Sequence, residues 1–186
     1  MSSQPAFNLP DNSTGTYAKQ HATSNRSRVA IFRGAKEIIS EVGSYESNMA
    51  EIALRAQVSR ATIYNQFADK AEMMESLVES EVIRLTELAL AATSRQEALA
   101  LLSTAISQDL ALRKLVETDP SDIAKLVTIT NHPIWVLAHQ GIAKVFGADS
   151  AASGVILRWL IGQIGSPITQ EESVAQSKRL AASLFN

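Results

Sequence analysis

The chain has 186 residues, 46% of them hydrophobic and 19% charged, with a net charge of −2. That balance supports a buried core and argues against disorder over most of the length. Cysteine is absent, which excludes disulfides, cysteine–zinc sites and thiol catalysis, and the scarcity of alternating β-branched runs argues against a β-sandwich or a parallel-sheet enzyme.

Residues 1–24 are rich in Ser, Asn, Thr, Gln and Pro and read as a polar, flexible tail. No basic stretch followed by an apolar one marks a secretory signal. No apolar run approaches the ~18 residues of a membrane span, so a cytoplasmic location is expected. From about Asn25 to Val42, Ile31, Phe32, Ala35, Ile38, Ile39 and Val42 recur at helical spacing. Gly43 follows where a left-handed C-cap belongs. Asn48 then caps a short helix, with Glu51 three residues on and Met49, Ile52, Ala53 and Ala56 as its buried face. Ser59 caps a further helix, Arg60–Phe67, with Ile63 and Phe67 inward. Asp69 caps a long one whose stripe of Met73, Leu77, Val82 and Leu85 persists to about Ala92.

The second half continues in the same way. Leu99, Leu102, Ile106 and Leu110 describe one helix. Asp119 before Pro120 is an N-cap with proline at the first helical position, and Ile123, Leu126 and Val127 form that helix's face. His132-Pro133 opens a helix carrying Ile134, Leu137, Ile142 and Val145 and ending before Gly147. Asp149 or Ser150 starts the next, through Val155, Ile156, Trp159, Leu160 and Ile164, and Gly165-Ser166-Pro167 stops it. Thr169 to Glu172 is a capping box, followed by Val174, Ala181, Leu184 and Phe185. The expected class is all-α, with about nine helices and no strand.

The charge is uneven. Residues 26–70 hold seven Lys and Arg against five Asp and Glu, whereas residues 71–186 hold nine against thirteen. A mildly basic segment thus precedes an acidic body, a hint of two functional parts.

Residues 48–67 form two short helices joined by a tight connection, preceded by a longer helix. This is the layout of a helix-turn-helix, whose second helix enters the DNA major groove. Arg60 stands at the start of that helix, and arginine binds guanine through two donors at once. Asn65 and Gln66 carry amides suited to adenine. Ser59, Thr62 and Tyr64 carry hydroxyls for phosphate oxygens. Lys70 adds a cation at the next helix start, and Ala61 permits close approach or contacts a thymine methyl. Asn48, the cap of the first short helix, joins these as a candidate DNA-binding residue. Within the tail, the alternative to a passive segment is an arm in which Lys19, Arg26 and Arg28 touch phosphates.

Here the sequence resembles the TetR family of bacterial transcriptional regulators. The resemblance rests on Gly43, Ile52-Ala53, Val58-Ser59, Thr62-Ile63-Tyr64, Phe67 and Lys70, over about residues 26–72. Trp159 and Ser166-Pro167 ahead of a final helix fit less specifically. Gln57 departs from the pattern, because the family usually has glycine in the turn. The resemblance implies a homodimer that binds a palindromic operator, usually as a repressor, and is released by a small molecule. It makes Thr62, Tyr64 and Lys70 phosphate contacts and Arg60, Ala61 and Asn65 base readers. It implies a tail over 1–24, a DNA-binding domain over 25–85, and a ligand-binding and dimerisation domain over 86–186. The dimer would form through the last two helices, about 150–185, where Gly154 and Gly162 permit close approach.

The effector pocket is expected among residues 85–165, with Ile106, His132, Trp135, His139 and Trp159 as candidate ligand residues. His132 and His139 lie seven apart and with Asp109 or Glu117 make a weak case for a metal, so neither metal nor cofactor is expected. No Ser-His-Asp order, glycine-rich phosphate loop, carboxylate pair or His-Glu-x-x-His is visible, so no enzyme is expected. Two alternatives stay open: an activator of the same fold, and a helical protein-interaction module without ligand response.

Overall fold

The computed structural model describes residues 13–128 and 132–185. Among the described residues the chain is all-α, with no strand. The helices are α1 (Ser13–Glu46), α2 (Met49–Arg55), α3 (Arg60–Tyr64), α4 (Lys70–Leu90), α5 (Arg95–Ser107), α6 (Leu110–Thr118), α7 (Pro120–Thr128), α8 (Pro133–Phe146), α9 (Ser150–Gly165) and α10 (Gln170–Phe185). None is long and apolar enough to cross a membrane.

Two cores organise them. The first gathers Ile31, Ile39, Ile52, Ile63, Phe67 and Met73 from α1 to α4, and Ala111 of α6 reaches into it. The second gathers Leu99, Leu102, Ile142, Phe146, Ile156 and Leu160 from α5, α8 and α9, with α10 packed against it. α4 serves both, with Leu77 in the first and Ala89 in the second.

Local capping accounts for most boundaries. Asn48 Oδ1 accepts from the backbone N–H groups of Ala50 and Glu51 at 3.1 and 3.0 Å. Ser59 Oγ accepts from Thr62 N, and Asp69 from Glu72 N. Gly147 ends α8 in the left-handed conformation, Asp149 caps α9, and Thr169 and Glu172 form a reciprocal capping box.

Several boundaries differ from expectation. α1 starts at Ser13, inside the segment expected to be a tail. Residues 1–12 of that tail, and the side chain of Lys19, lie outside the described residues. Gly43 breaks the helix with the positive φ expected of it, 87°, but at ψ 176° it forms a kink and not a left-handed cap, and α1 resumes beyond it to Glu46. A Cβ at Gly43 would collide with the Thr118 side chain, so glycine is needed there for close approach as well as for backbone conformation. α3 ends at Tyr64, which leaves Asn65 and Gln66 in the turn that follows. Leu110 does not continue the helix of Leu99. Asp109 Oδ1 accepts from Ala111 N and Leu112 N, starting α6 as a separate helix. Ser94 starts α5 earlier than its apolar pattern shows, and Glu97 reaches back to Thr93 N at 2.7 Å.

α10 turns a different face inward. Val174 is 46% exposed, while Ser173 and Ser177 are buried. Ser103 Oγ of α5 lies 2.8 Å from both Gln163 Oε1 of α9 and Ser173 Oγ of α10. Ser107 donates to the same Gln163 oxygen at 3.1 Å. A buried polar network thus replaces the apolar seam that periodicity suggested, because its hydroxyls satisfy one another.

Gly34 sets the approach of α1 to α2. A Cβ there would sit 2.9 Å from Ala56 N and 3.2 Å from Ile52 O, both backbone atoms. Gly34→Ala is therefore expected to lower stability by about 1–3 kcal/mol. The check is a urea titration, and an unchanged midpoint would contradict this account of the packing.

Candidate nucleic-acid interface and adjoining cavity

α2 and α3 are joined by a turn in which Gln57 adopts φ 56°, the left-handed region favoured by glycine. A non-glycine residue there costs about 1 kcal/mol. The turn keeps its geometry nonetheless, because Gln57 N donates to Leu54 O at 3.1 Å and Val58 N to Ala53 O at 3.0 Å. The departure from the family pattern thus leaves a non-glycine residue in the left-handed region at this turn.

α3 buries Ile63 and turns Arg60, Ala61, Tyr64 and the following Asn65 outward. Tyr64 is 53% exposed. Arg60 makes no hydrogen bond or ion pair with another described residue. Ser59 is exposed, and its Oγ lies 2.8 Å from Thr62 Oγ1, so the two hydroxyls sit together at the helix start. Asn48 is exposed at the neighbouring start of α2. These expected residues therefore share one end of the first core.

Two expected DNA contacts are placed differently. The Lys70 ammonium donates to the carbonyl oxygens of Ser44, Tyr45 (3.3 Å) and Ser47 (2.7 Å). Its donors are engaged within the protein, so it holds the α1–α2 link instead of standing free for phosphate. Gln66 Nε2 donates to Ser24 O at 3.2 Å, tying the turn after α3 to α1. That bond takes one of the amide's two N–H donors and turns the side chain toward α1. Of the suggested arm, Arg28 lies over the rings of Phe32 and Phe67, 5.2 and 4.9 Å from their centroids.

Other cations of the basic segment are consumed internally as well. Arg55 grips Glu41 through two bonds of 2.8 and 2.9 Å, which lowers the Glu41 carboxyl below its ordinary value and raises the arginine above its own. Lys36 bonds Glu81 at 2.8 Å and Asp109 at 2.6 Å. Tyr45, three residues before Asn48, is 83% exposed. Helical periodicity does not single it out, but an aromatic residue directly after Gly43-Ser44 is its signal in the sequence.

The link from Gly43 to Asn48 is also held from the other side. Asp119, between α6 and α7, accepts from Ser44 N at 3.0 Å, Tyr45 N at 3.2 Å and Thr118 Oγ1 at 2.6 Å. It stands before Pro120 as expected, but its carboxylate serves α1 and not the start of α7. Burial alone would raise this carboxyl. The Thr118, Ser44 and Tyr45 bonds and the Lys70 charge outweigh burial and hold it below its ordinary value.

Beyond the link lies a cavity of about 240 Å³, walled by α1 and α4 to α9. Of the expected ligand residues, Ile106 and Trp135 line it. His132 is instead the N-cap of α8, its Nδ1 accepting from Ile134 N at 3.3 Å. Trp159 donates to Gln176 Oε1 at 2.8 Å and so ties α9 to α10. His139 is half-buried on α8 away from the cavity wall. Among the described residues no group of three His, Cys, Asp or Glu is placed to hold a metal.

A capped, exposed helix on a three-helix core, joined to a helical body containing a cavity, is the architecture of a helix-turn-helix transcriptional regulator. Residues 31–77 match the family described as bacterial regulatory proteins, tetR family. The fold is that of solved TetR-type regulators. One is the TetR family repressor AlkX from a Dietzia species, implicated in biodegradation of n-alkanes, at 18% identity and TM-score 0.58, covering 84% of this chain and 94% of that one. A second is the fatty acid degradation regulator FadR from Bacillus halodurans, at 17% identity and TM-score 0.60, covering 86% and 94%. A third is the dihydroxyacetone kinase operon activator DhaS, at 15% and 0.58, covering 85% and 96%. No curated protein sequence matches the chain. Residues 31–77 thus match the TetR-family segment, and the described chain has the fold of these solved regulators.

Because its folded pKa is depressed, Asp119 contributes stability that is complete at neutral pH and is lost as pH falls through the lowered value. Asp119→Ala is expected to cost about 2 kcal/mol at neutral pH, the worth of hydrogen bonds to a charged acceptor. It should also flatten the loss of stability below about pH 4. Thermal melts of both proteins across pH 3 to 7 test this, and parallel pH profiles would refute the role.

Proposed function

We propose that the chain is a ligand-responsive repressor that binds a palindromic operator as a homodimer and leaves it when a small molecule fills the cavity. The observation that carries this reading is the outward face of α3. Arg60, Ala61, Tyr64 and Asn65 face solvent, and among the described residues Arg60 has no bonded partner while Arg55, Lys36 and Lys70 are all engaged. An unspent arginine at the start of a helix of this kind suits a guanine edge. Ser59, Thr62, Tyr64 and Asn48 surround it with hydroxyl and amide groups suited to phosphate oxygens, and Tyr45 joins them.

The homodimer reading draws support from α9 and α10. Val155 and Val174 are each 46% exposed, and open space faces Gly162. Two helices from each copy would close these faces as a four-helix bundle. Two-fold symmetry would then set the half-sites about 34–36 Å apart, or a multiple of that spacing.

Release draws support from shared side chains. Ile39, Leu77 and Ala111 belong to the first core and also line the cavity. A ligand pressing on them acts on the packing under α2 and α3, and it shifts the DNA-binding equilibrium by its differential affinity for the two arrangements. Repression over activation rests on the family resemblance. The position of the operator relative to the promoter decides the sign.

Fluorescence anisotropy against the promoter beside its own gene tests the reading. Affinity should fall steeply with salt as phosphate contacts release counterions. Tyr64→Ala should weaken binding to all sequences alike. Arg60→Ala should relax preference at one base pair by about 1–3 kcal/mol. No binding at low salt, or binding indifferent to both substitutions, would remove the DNA-binding assignment.

A further inference from the structure

The wall of the cavity is hydrocarbon over almost all its area, from residues such as Met74, Leu102, Ile106, Ile134, Leu157 and Ile164. Six side chains with polar groups also reach it: Lys36, Glu81, Arg84, Thr86, Asp109 and Trp135. All six are already engaged. Lys36 is shared between Glu81 and Asp109 at 2.8 and 2.6 Å. Arg84 holds the same Glu81 oxygen through Nε at 3.1 Å and a terminal nitrogen at 2.9 Å. Asp109 also caps α6. Thr86 Oγ1 donates to Val82 O at 2.8 Å, and Trp135 Nε1 to Leu126 O at 3.1 Å. Two cations face two carboxylates, so the charges on the wall cancel.

A carboxylate ligand would add a third anion beside Glu81 and Asp109, and an ammonium a third cation beside Lys36 and Arg84. Either puts an uncompensated, partly buried charge on a wall whose charges otherwise balance, which is costly in a low-dielectric site. An uncharged ligand disturbs none of these bonds and gains by covering apolar wall.

We infer that the effector is an uncharged, predominantly hydrocarbon molecule, neither an acid nor an amine. This specifies the ligand class of the regulator proposed above and rests on that reading for its biological consequence. The geometry of the cavity supports the ligand class independently of DNA.

Trp135 lines the cavity and Trp159 does not, so Trp159→Phe leaves one tryptophan as a reporter. Three eight-carbon probes separate the chemistries: 1-octanol, octanoate and octylammonium. Trp135 emission should respond to 1-octanol at concentrations at least about tenfold below those needed for either ion. The melting temperature of the unsubstituted protein should rise with 1-octanol in the same order of preference, so the test does not depend on the reporter variant. Ala138→Leu or Ala105→Leu, each adding bulk to the wall, should abolish the response in whichever variant keeps its helical circular dichroism. Equal or tighter binding of octanoate or octylammonium would overturn the inference, and so would no response to any probe. Anisotropy with operator DNA separates the two levels. If 1-octanol binds the cavity but leaves DNA affinity unchanged, the ligand class stands and release by ligand falls. If a charged probe releases DNA while 1-octanol does not, ligand control stands and this inference falls.

Discussion

The stretch from Ser44 to Ser47, the end of α1 beyond its kink and the start of the link to α2, is gripped from two directions, and the placement of α2 and α3 depends on that grip. Asp119 takes the N–H groups of Ser44 and Tyr45, and Lys70 takes the carbonyls of Ser44, Tyr45 and Ser47. Peptide groups in an irregular, partly buried segment need partners. Here one charged side chain from the α6–α7 junction and one from the start of α4 supply them. Gly43 makes the approach possible, since a side chain there would strike Thr118. α2 starts directly beyond this link, and α3 is packed on α2, so their position follows from where the link is fastened.

The same grip explains how the molecule spends its charge. The excess of cations in residues 26–70 hints at a functional part separate from the acidic body. Most of those cations turn out to be structural: Arg55 staples α2 to α1, Lys36 bridges α1 to α4 and α6, Arg28 covers two rings, and Lys70 binds carbonyls. Arg60, at the start of α3, is exposed and bonds to no other described residue. Exposed ion pairs contribute little to stability individually. The half-buried Lys36 cluster matters more for what it joins, since its three members come from three helices.

What was legible in the sequence was local. The caps Asn48, Ser59, Asp69, Asp149 and Thr169 bond to backbone two or three residues away, so their function is written in the spacing. The core positions Ile52, Ile63 and Phe67 followed from the same periodicity. What was not legible depends on partners far along the chain. Lys70 and Gln66 carry the residue types of DNA contacts, yet each is claimed by α1, with Lys70 reaching back to Ser44 and Gln66 to Ser24. Asp119 was placed correctly before Pro120, but its carboxylate answers to a segment 74 or 75 residues earlier. On α10 the apolar pattern favoured Val174 as an inward residue. The serines win because Ser103 of α5 meets Ser173 across the seam and Ser177 donates back to the Ser173 carbonyl.

That serine network has a mechanical consequence. A seam made only of methyl and methylene groups tolerates sliding, since neighbouring registers cost similar energies. A seam keyed by hydroxyls and one amide has a single register, because a shift of one residue strands every buried partner at once. Ser173 therefore keys α10 to α5, and Gln163 keys α9 to α5 through the same Ser103. The seam of α4 along α8, which lines the cavity, has no such buried side-chain key among the described residues.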